Sequence, residues 1–233
     1  MPAFATVTTV CYPRPMRLLA IDTALEACSV GVVHGERTIV RSQNIGRGHA
    51  EILMGQIESA LAEAGLDFAD LDSIAVVVGP GSFTGLRVGI AAARGFALVT
   101  GKPALGIGTL SVHAAEAKGR PVLATLAAGR GEIYGQFFAA DGSEAGPPRV
   151  ASPEMFAAEL TGDMALAGSG ADLVIAALPM NVRPRVIHRN AAPDIATLCR
   201  VALSAPEPTA PPKPLYIRLP DAKPQGAAKI AHR

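Results

Sequence analysis

The residues best placed to do chemistry form the run Gly79-Pro80-Gly81-Ser82-Phe83-Thr84-Gly85, between an apolar, β-branched stretch at 74–78 and a helical pattern. A strand, a glycine-rich turn and a helix N-terminus present backbone N–H groups together, which is the chemistry of an anion site. Ser82 and Thr84 add hydroxyls and suit the helix cap, while Gly79, Gly81 and Gly85 let backbone turn tightly or approach a partner closely. The familiar fingerprints are absent. A P-loop needs Gly-Lys-Ser/Thr, and the Lys is missing before Thr84; in G-x-G-x-x-G the third glycine would have to fall one residue before Gly85. Nor is Ser82 in a nucleophile elbow, because Pro80 and Thr84 stand where its glycines belong. A phosphate cradle and a purely structural turn both fit the spacing.

Beyond the loop, Gly85, Gly89, Ala93 and Ala97 recur at four-residue spacing and leave one helix face nearly smooth. Arg87 and Arg94 interrupt any membrane-spanning segment, so the smooth face serves a helix pair in water or packing on the chain's own sheet. A second amphipathic helix begins at His49, with Leu53, Ile57, Ala60, Leu61 and Ala64 on one face and Gly65 closing it. A metal-binding helix would place another His three or four residues on, where Ile52 and Leu53 stand. His49 therefore reads as a capping or interface residue, and no metal is assigned.

The 233 residues suffice for one large domain or two small ones. Apolar residues make up 49% and charged ones 18%, an excess that points to contact area beyond a monomer's needs. A net charge of +1 supplies no global attraction for nucleic acid or a membrane, and no apolar run approaches the ~20 residues that span a bilayer. Cys11, Cys28 and Cys199 are too scattered for a disulfide framework or a zinc site, consistent with a reducing cytoplasm. Residues 1–15 carry no positive charge ahead of their apolar stretch and so do not read as a secretory signal; they read as a disordered leader or an extension upstream of a start at Met16.

Strands are expected at 18–21, 29–33, 37–43, 74–78 and 104–107, with helices from 49, from 82 and over 109–118. Three meandering strands followed by two crossover units make a mixed five-stranded sheet with helices on both faces. The second half repeats the order, with strands at 122–126, 132–139, 149–151, 164–167 and 183–187 and helices at 153–160, 172–178 and 193–203. The expected class is α/β, a duplicated two-lobed fold of the actin-like (ASKHA, ribonuclease-H-like) kind, with lobes at 16–119 and 120–204. A tail at 205–233, rich in proline, is expected to lie extended over a surface. In sugar kinases and actin-like ATPases of this architecture a carboxylate lies near magnesium and phosphate where Asp22 stands, with Thr23 beside it; an isolated Asp at a strand end is also a common turn-former.

Five segments occur in an order that resembles the bacterial TsaB (YeaZ) family: Leu19-Ala20-Ile21-Asp22-Thr23, Ser29-Val30, Gly79 through Gly89, Gly131-Glu132-Ile133-Tyr134 and Pro214-Leu215-Tyr216-Ile217-Arg218. The resemblance implies a non-catalytic partner in making N6-threonylcarbamoyladenosine beside the anticodon of tRNAs that read codons beginning with A. By that resemblance TsaD carries the metal and transfers the threonylcarbamoyl group, the ATPase TsaE assists, tRNA is met only through the complex, and the chain alone forms a homodimer. It further implies a four-helix bundle interface, for which His49, Leu53, Ile57, Leu61, Gly85, Arg87, Gly89, Ala93 and Ala97 are the candidates here. No cofactor is assigned to the chain itself; ATP is placed at the glycine loop, at the interface of the complex, or nowhere on this chain. One departure stands out: relatives carry Asp-Ala-Arg where Ala127-Ala128-Gly129-Arg130 stands, which removes a carboxylate from the second lobe. The rival reading is a free-standing metallopeptidase-like or ATP-hydrolysing enzyme using Asp22 or His49.

Overall fold

The structure is a computed structural model and describes residues 16–218. The expected leader at 1–15 and the far end of the tail, 219–233, lie outside the described residues.

The first half opens with β1 (Arg17–Asp22), β2 (Ala27–His34) and β3 (Arg37–Asn44), an antiparallel meander. β1 and β2 are buried almost throughout because helices cover both faces, whereas β3 is the sheet edge and exposes most of its polar side chains. Helix α1 (His49–Ala64) follows, then β4 (Ser73–Gly79), α2 (Phe83–Thr100) and β5 (Ala104–Gly108). β4 and β5 join the sheet in parallel, giving the order β3-β2-β1-β4-β5. The all-apolar run of β4 fits a strand sandwiched between layers, as its spacing suggested.

Helix α3 (Thr109–Ala115) leads into the second half: β6 (Val122–Gly129), β7 (Glu132–Phe138), β8 (Arg149–Ala151), α4 (Pro153–Glu159), β9 (Ala165–Ala167), α5 (Ala171–Ala177), β10 (Val186–His188) and α6 (Ile195–Ser204). Its sheet runs β8-β7-β6-β9-β10, the same order as the first. The fold is therefore the duplicated α/β, actin-like arrangement of two mixed five-stranded sheets. Residues 205–218 contain no helix or strand.

The boundary at 119/120 separates the sheets but not the cores. Leu110 and Ala114 of α3 pack in a cluster with Val122, Leu126 and Phe138 of the second sheet. Ile195, Leu198, Cys199 and Ala202 of α6 pack in the cluster of the first sheet. Each half thus lends its last helix to the other's sheet, and the two exchanged helices meet in the middle of the molecule. A cut at the predicted boundary would strip each sheet of one covering layer, so the two lobes are not self-contained.

Candidate functional site

The glycine loop is held from three sides. Ser82 caps α2, its Oγ accepting from Gly85 N–H at 3.4 Å, and Ser82 N–H donates to Ala24 O at 2.6 Å. Thr109 Oγ1 donates to Pro80 O at 2.8 Å, and Thr23 Oγ1 to Gly85 O at 2.7 Å. The close approach needs glycine: a Cβ on Gly85 would stand 2.1 Å from Thr23 O, and one on Gly89 2.5 Å from Thr23 Oγ1. α2 therefore lies low on β1 and β4.

Asp22 is fully buried beneath this loop. Its Oδ1 accepts from Ala24 N–H at 2.8 Å, while Oδ2 has no hydrogen-bond partner among the described residues. Burial pushes its carboxyl up to about 7, with the Ala24 hydrogen bond pulling the other way. Of the candidate anion set, only Ser82 and Thr84 are exposed and Gly81 is half-buried; Asp22, Thr23, Gly79 and Gly85 are taken up by packing. Of the two readings of Asp22, a carboxylate near phosphate and a turn-former, its burial and its bond from Ala24 N–H fit the turn-former.

The tail closes over this region. Leu215 N–H donates to Val78 O at 2.7 Å, and Tyr216 stacks on Phe83 with ring centroids 5.0 Å apart. Arg87 lies over the Phe83 ring at 3.7 Å and donates from Nε to Tyr216 OH at 3.1 Å. Further on, Arg218 donates to Ala128 O at 3.0 Å, pairs with Glu132 and stands 5.9 Å from the centre of the Tyr134 ring. The tail thus bridges the sheet of the first half to the β6–β7 turn of the second, over a cleft of ≈ 480 Å³ that includes Val78, Gly79, Pro80, Gln136 and Leu215 in its lining. This clasp brings the Gly-Glu-Ile-Tyr and Pro-Leu-Tyr-Ile-Arg segments together although they lie far apart in sequence. The 127–129 segment makes its contacts through its backbone, Ala128 O holding Arg218 and Ala127 N–H donating to Ser169 Oγ at 3.1 Å.

The helix faces require a correction. Leu53, Ile57 and Leu61 are 2%, 0% and 3% exposed, and with Gly85, Gly89 and Ala93 they face the chain's own sheet. Ala97 is half-buried against the same cluster, and His49 is tied by Nε2 to Leu25 O at 2.8 Å, fixing the start of α1 to the β1–β2 turn. Of the predicted interface set only Arg87 stands on an open face. Small residues at four-residue spacing mark close packing, but the spacing does not say whose backbone comes close.

The open faces carry other residues. On α2 they include Thr84, Arg87, Ala91, Arg94, Gly95, Leu98 and Val99, the last two 85% and 86% exposed. On α1 they include Met54, Gly55, Ser59 and Ala62. Ala91, Gly95 and Leu98 repeat at intervals of four and three, the spacing of a helix–helix seam, and a Cβ added at Gly55 or Gly95 would meet nothing within 4 Å. α2 is long and apolar enough to cross a membrane by length and composition, yet its Leu86, Ile90 and Ala93 are built into the core. A groove of ≈ 570 Å³ runs between its C-terminal half and residues 208–212.

Residues 38–158 match a family model described as TsaD: tRNA N6-adenosine threonylcarbamoyltransferase. An uncharacterized protein of Mycobacterium tuberculosis is 37% identical over 212 residues, covering 89% of this chain and 94% of that one. The Escherichia coli tRNA threonylcarbamoyladenosine biosynthesis protein TsaB is 37% identical over 123 residues, 51% of this chain and 53% of that one. Among solved structures, YeaZ from Pseudomonas aeruginosa superposes with a TM-score of 0.71 at 31% identity, covering 80% of this chain and 90% of that one. The chain belongs to the TsaB (YeaZ) family.

Proposed function

We propose that this chain acts in tRNA threonylcarbamoyladenosine biosynthesis as a non-catalytic, cytoplasmic partner subunit, docking a TsaD-type subunit on the outward face of α1 and α2. The observation that carries the docking reading is α2 itself, a long helix whose inner face is packed and whose outer face presents Ala91, Gly95, Leu98 and Val99 to solvent. Exposed apolar side chains beside small residues suit a helix that another helix is to cover. The pathway is supported by the TsaB-named relatives in Escherichia coli and Haemophilus influenzae. In the absence of that partner, the same face pairs with a second copy of the chain, and tRNA and TsaE are met through the complex. ATP belongs at the interface of that complex rather than on the glycine loop.

The rival hydrolytic reading would use Asp22 or His49. One is buried under the loop and the other is engaged by a backbone carbonyl, so neither is offered to a substrate.

Co-purification with a TsaD-type subunit tests the docking face. Gly95→Arg and Leu98→Arg are expected to weaken association at least about tenfold while the chain stays folded. Undiminished association would refute the docking face. Gly89 and Ala93 are unsuitable probes, because a bulky charge there enters the core. The pathway is tested separately: depletion should lower threonylcarbamoyladenosine in tRNA, and the wild-type chain should restore it. Unchanged modification on depletion would contradict the pathway.

A further inference from the structure

Away from the loop, the tail and the open helix face, three buried polar atoms converge without hydrogen-bond partners among the described residues: His113 Nδ1, Glu116 Oε1 and His188 Nε2. One ligand atom from each residue lies within 4.8 Å of the others. His113 and Glu116 are three residues apart, at the end and C-cap of α3, so they share a helix face. His188 comes from β10, whose backbone is set by Gly168 N–H donating to His188 O at 3.0 Å. The two imidazole rings have centroids 5.0 Å apart, and His188 Nε2 is 3.6 Å from Glu116 Oε2.

We propose that His113 Nδ1, His188 Nε2 and a Glu116 carboxylate oxygen hold one divalent transition-metal ion, with Zn2+ the best match to this set of two imidazoles and a carboxylate. Two observations point to a ligand rather than to ordinary buried polar side chains. First, each of three orphaned buried atoms would carry a desolvation cost unless something fills the space between them. Second, the His113 tautomer is fixed for coordination. His113 is 0% exposed, and its Nε2 lies 3.1 Å from Ala191 O, a carbonyl that can only accept. Nε2 must therefore carry the proton, leaving the buried Nδ1 with a free lone pair; a coordinating histidine is commonly held in this way through its other nitrogen.

His188 requires one adjustment. Its Nδ1 accepts a long 3.3 Å bond from Asn190 N–H, and coordination through Nε2 moves the ring proton to Nδ1 and gives up that bond. Residues 189 and 190 are exposed, with the Arg189 side chain paired to Asp172. Zinc bonds of ~2.0–2.2 Å also require the three atoms to draw closer, and the Glu116 side chain is the most exposed of the three. Nitrogen ligands in the majority favour zinc over magnesium or calcium, which prefer oxygen.

The location gives the ion a mechanical role. α3 is the helix the first half lends to the second sheet, and Ala191 lies in the connection to α6, the helix lent in the other direction. An ion here rivets the crossover of the two lobes.

The test uses the full chain, stripped with a chelator and titrated with Zn2+ alone by calorimetry, with thermal unfolding followed in parallel. One zinc per chain is expected, with a rise in unfolding temperature of about 5 °C at saturation. Glu116→Gln and His188→Asn should each weaken binding at least about tenfold and abolish the thermal shift, and Mg2+ should not replace Zn2+. Glu116→Gln preserves shape and keeps the test valid if a histidine variant folds poorly. Failure of the wild-type chain to bind zinc, or equal binding by the wild-type chain and both variants, would overturn the site.

Discussion

The two halves share one strand order but not one helix length. In the first, α1 and α2 run to 16 and 18 residues; their counterparts α4 and α5 in the second have 7 each. At ~1.5 Å per residue, α2 extends about 27 Å against about 10 Å for α5. Seven residues suffice to cover three-residue strands such as β8 and β9. Part of the extra length in the first half exceeds what its sheet requires: Leu98 and Val99, in the last turn of α2, are almost fully exposed. That exposed stretch of α2 is the face proposed above to receive a partner.

The comparison is broken most severely where both halves rely on the same device. Gly85 meets Thr23 O, and in the second lobe Gly168 meets Thr125 O, where an added Cβ would stand 2.0 Å away. Gly85→Val and Gly168→Val should each cost about 3 kcal/mol or more in a denaturant melt, because backbone blocks the added atoms. A loss below about 1 kcal/mol at either site would mean that the packing gives more readily than this geometry allows.

The next effect belongs to the first lobe. The Asp22 carboxyl, raised to about 7, stays protonated in the folded chain at pH values where the unfolded chain has released its proton. Its contribution is therefore full below the ordinary carboxylate range and is lost as pH rises toward about 7, by up to about 4 kcal/mol. Denaturant midpoints measured from pH 4 to 8 should fall more steeply for the wild-type chain than for Asp22→Asn. Parallel profiles would show that Asp22 is not buried as described.

A smaller effect concerns the clasp that joins the lobes. Arg218→Ala removes a partly exposed ion pair and a backbone contact, and should cost about 1 kcal/mol while speeding proteolytic cleavage within 205–218. An unchanged cleavage rate would remove the clasp from the account. The smallest change in stability is expected on the open face, where Leu98→Arg should shift the melt by no more than about 0.5 kcal/mol.

Much of this was legible in the sequence. β-branched runs located the buried strands, and the repeated meander-then-crossover order revealed the duplication. The glycine loop launches α2 as its spacing suggested, and of the two hydroxyls that suited the cap, Ser82 and Thr84, the helix uses Ser82. The misassigned helix face has a physical cause. In a helix as rich in Ala and Gly as α2, both the inner stripe of Gly85, Gly89 and Ala93 and the outer stripe of Ala91, Gly95 and Leu98 look smooth, and only the crossover from β4 to β5 decides which of them meets the sheet. The exchange of α3 and α6 was equally hidden, because amphipathic spacing gives a helix an apolar face without naming the sheet it covers. The proposed histidine site was not read from the sequence: His113 and Glu116 stand three residues apart, and His188 joins them only through the fold.

The most direct test of the central claim sets one exposed leucine from each lobe against the other. Leu98 lies on the open face of α2 and Leu173, 40% exposed, on α5. Affinity for a TsaD-type subunit should be measured by calorimetry for the wild-type chain, Leu98→Arg and Leu173→Arg. The account predicts at least about a tenfold loss for Leu98→Arg and wild-type affinity for Leu173→Arg. Equal affinities for the two variants, or a loss confined to Leu173→Arg, would contradict it.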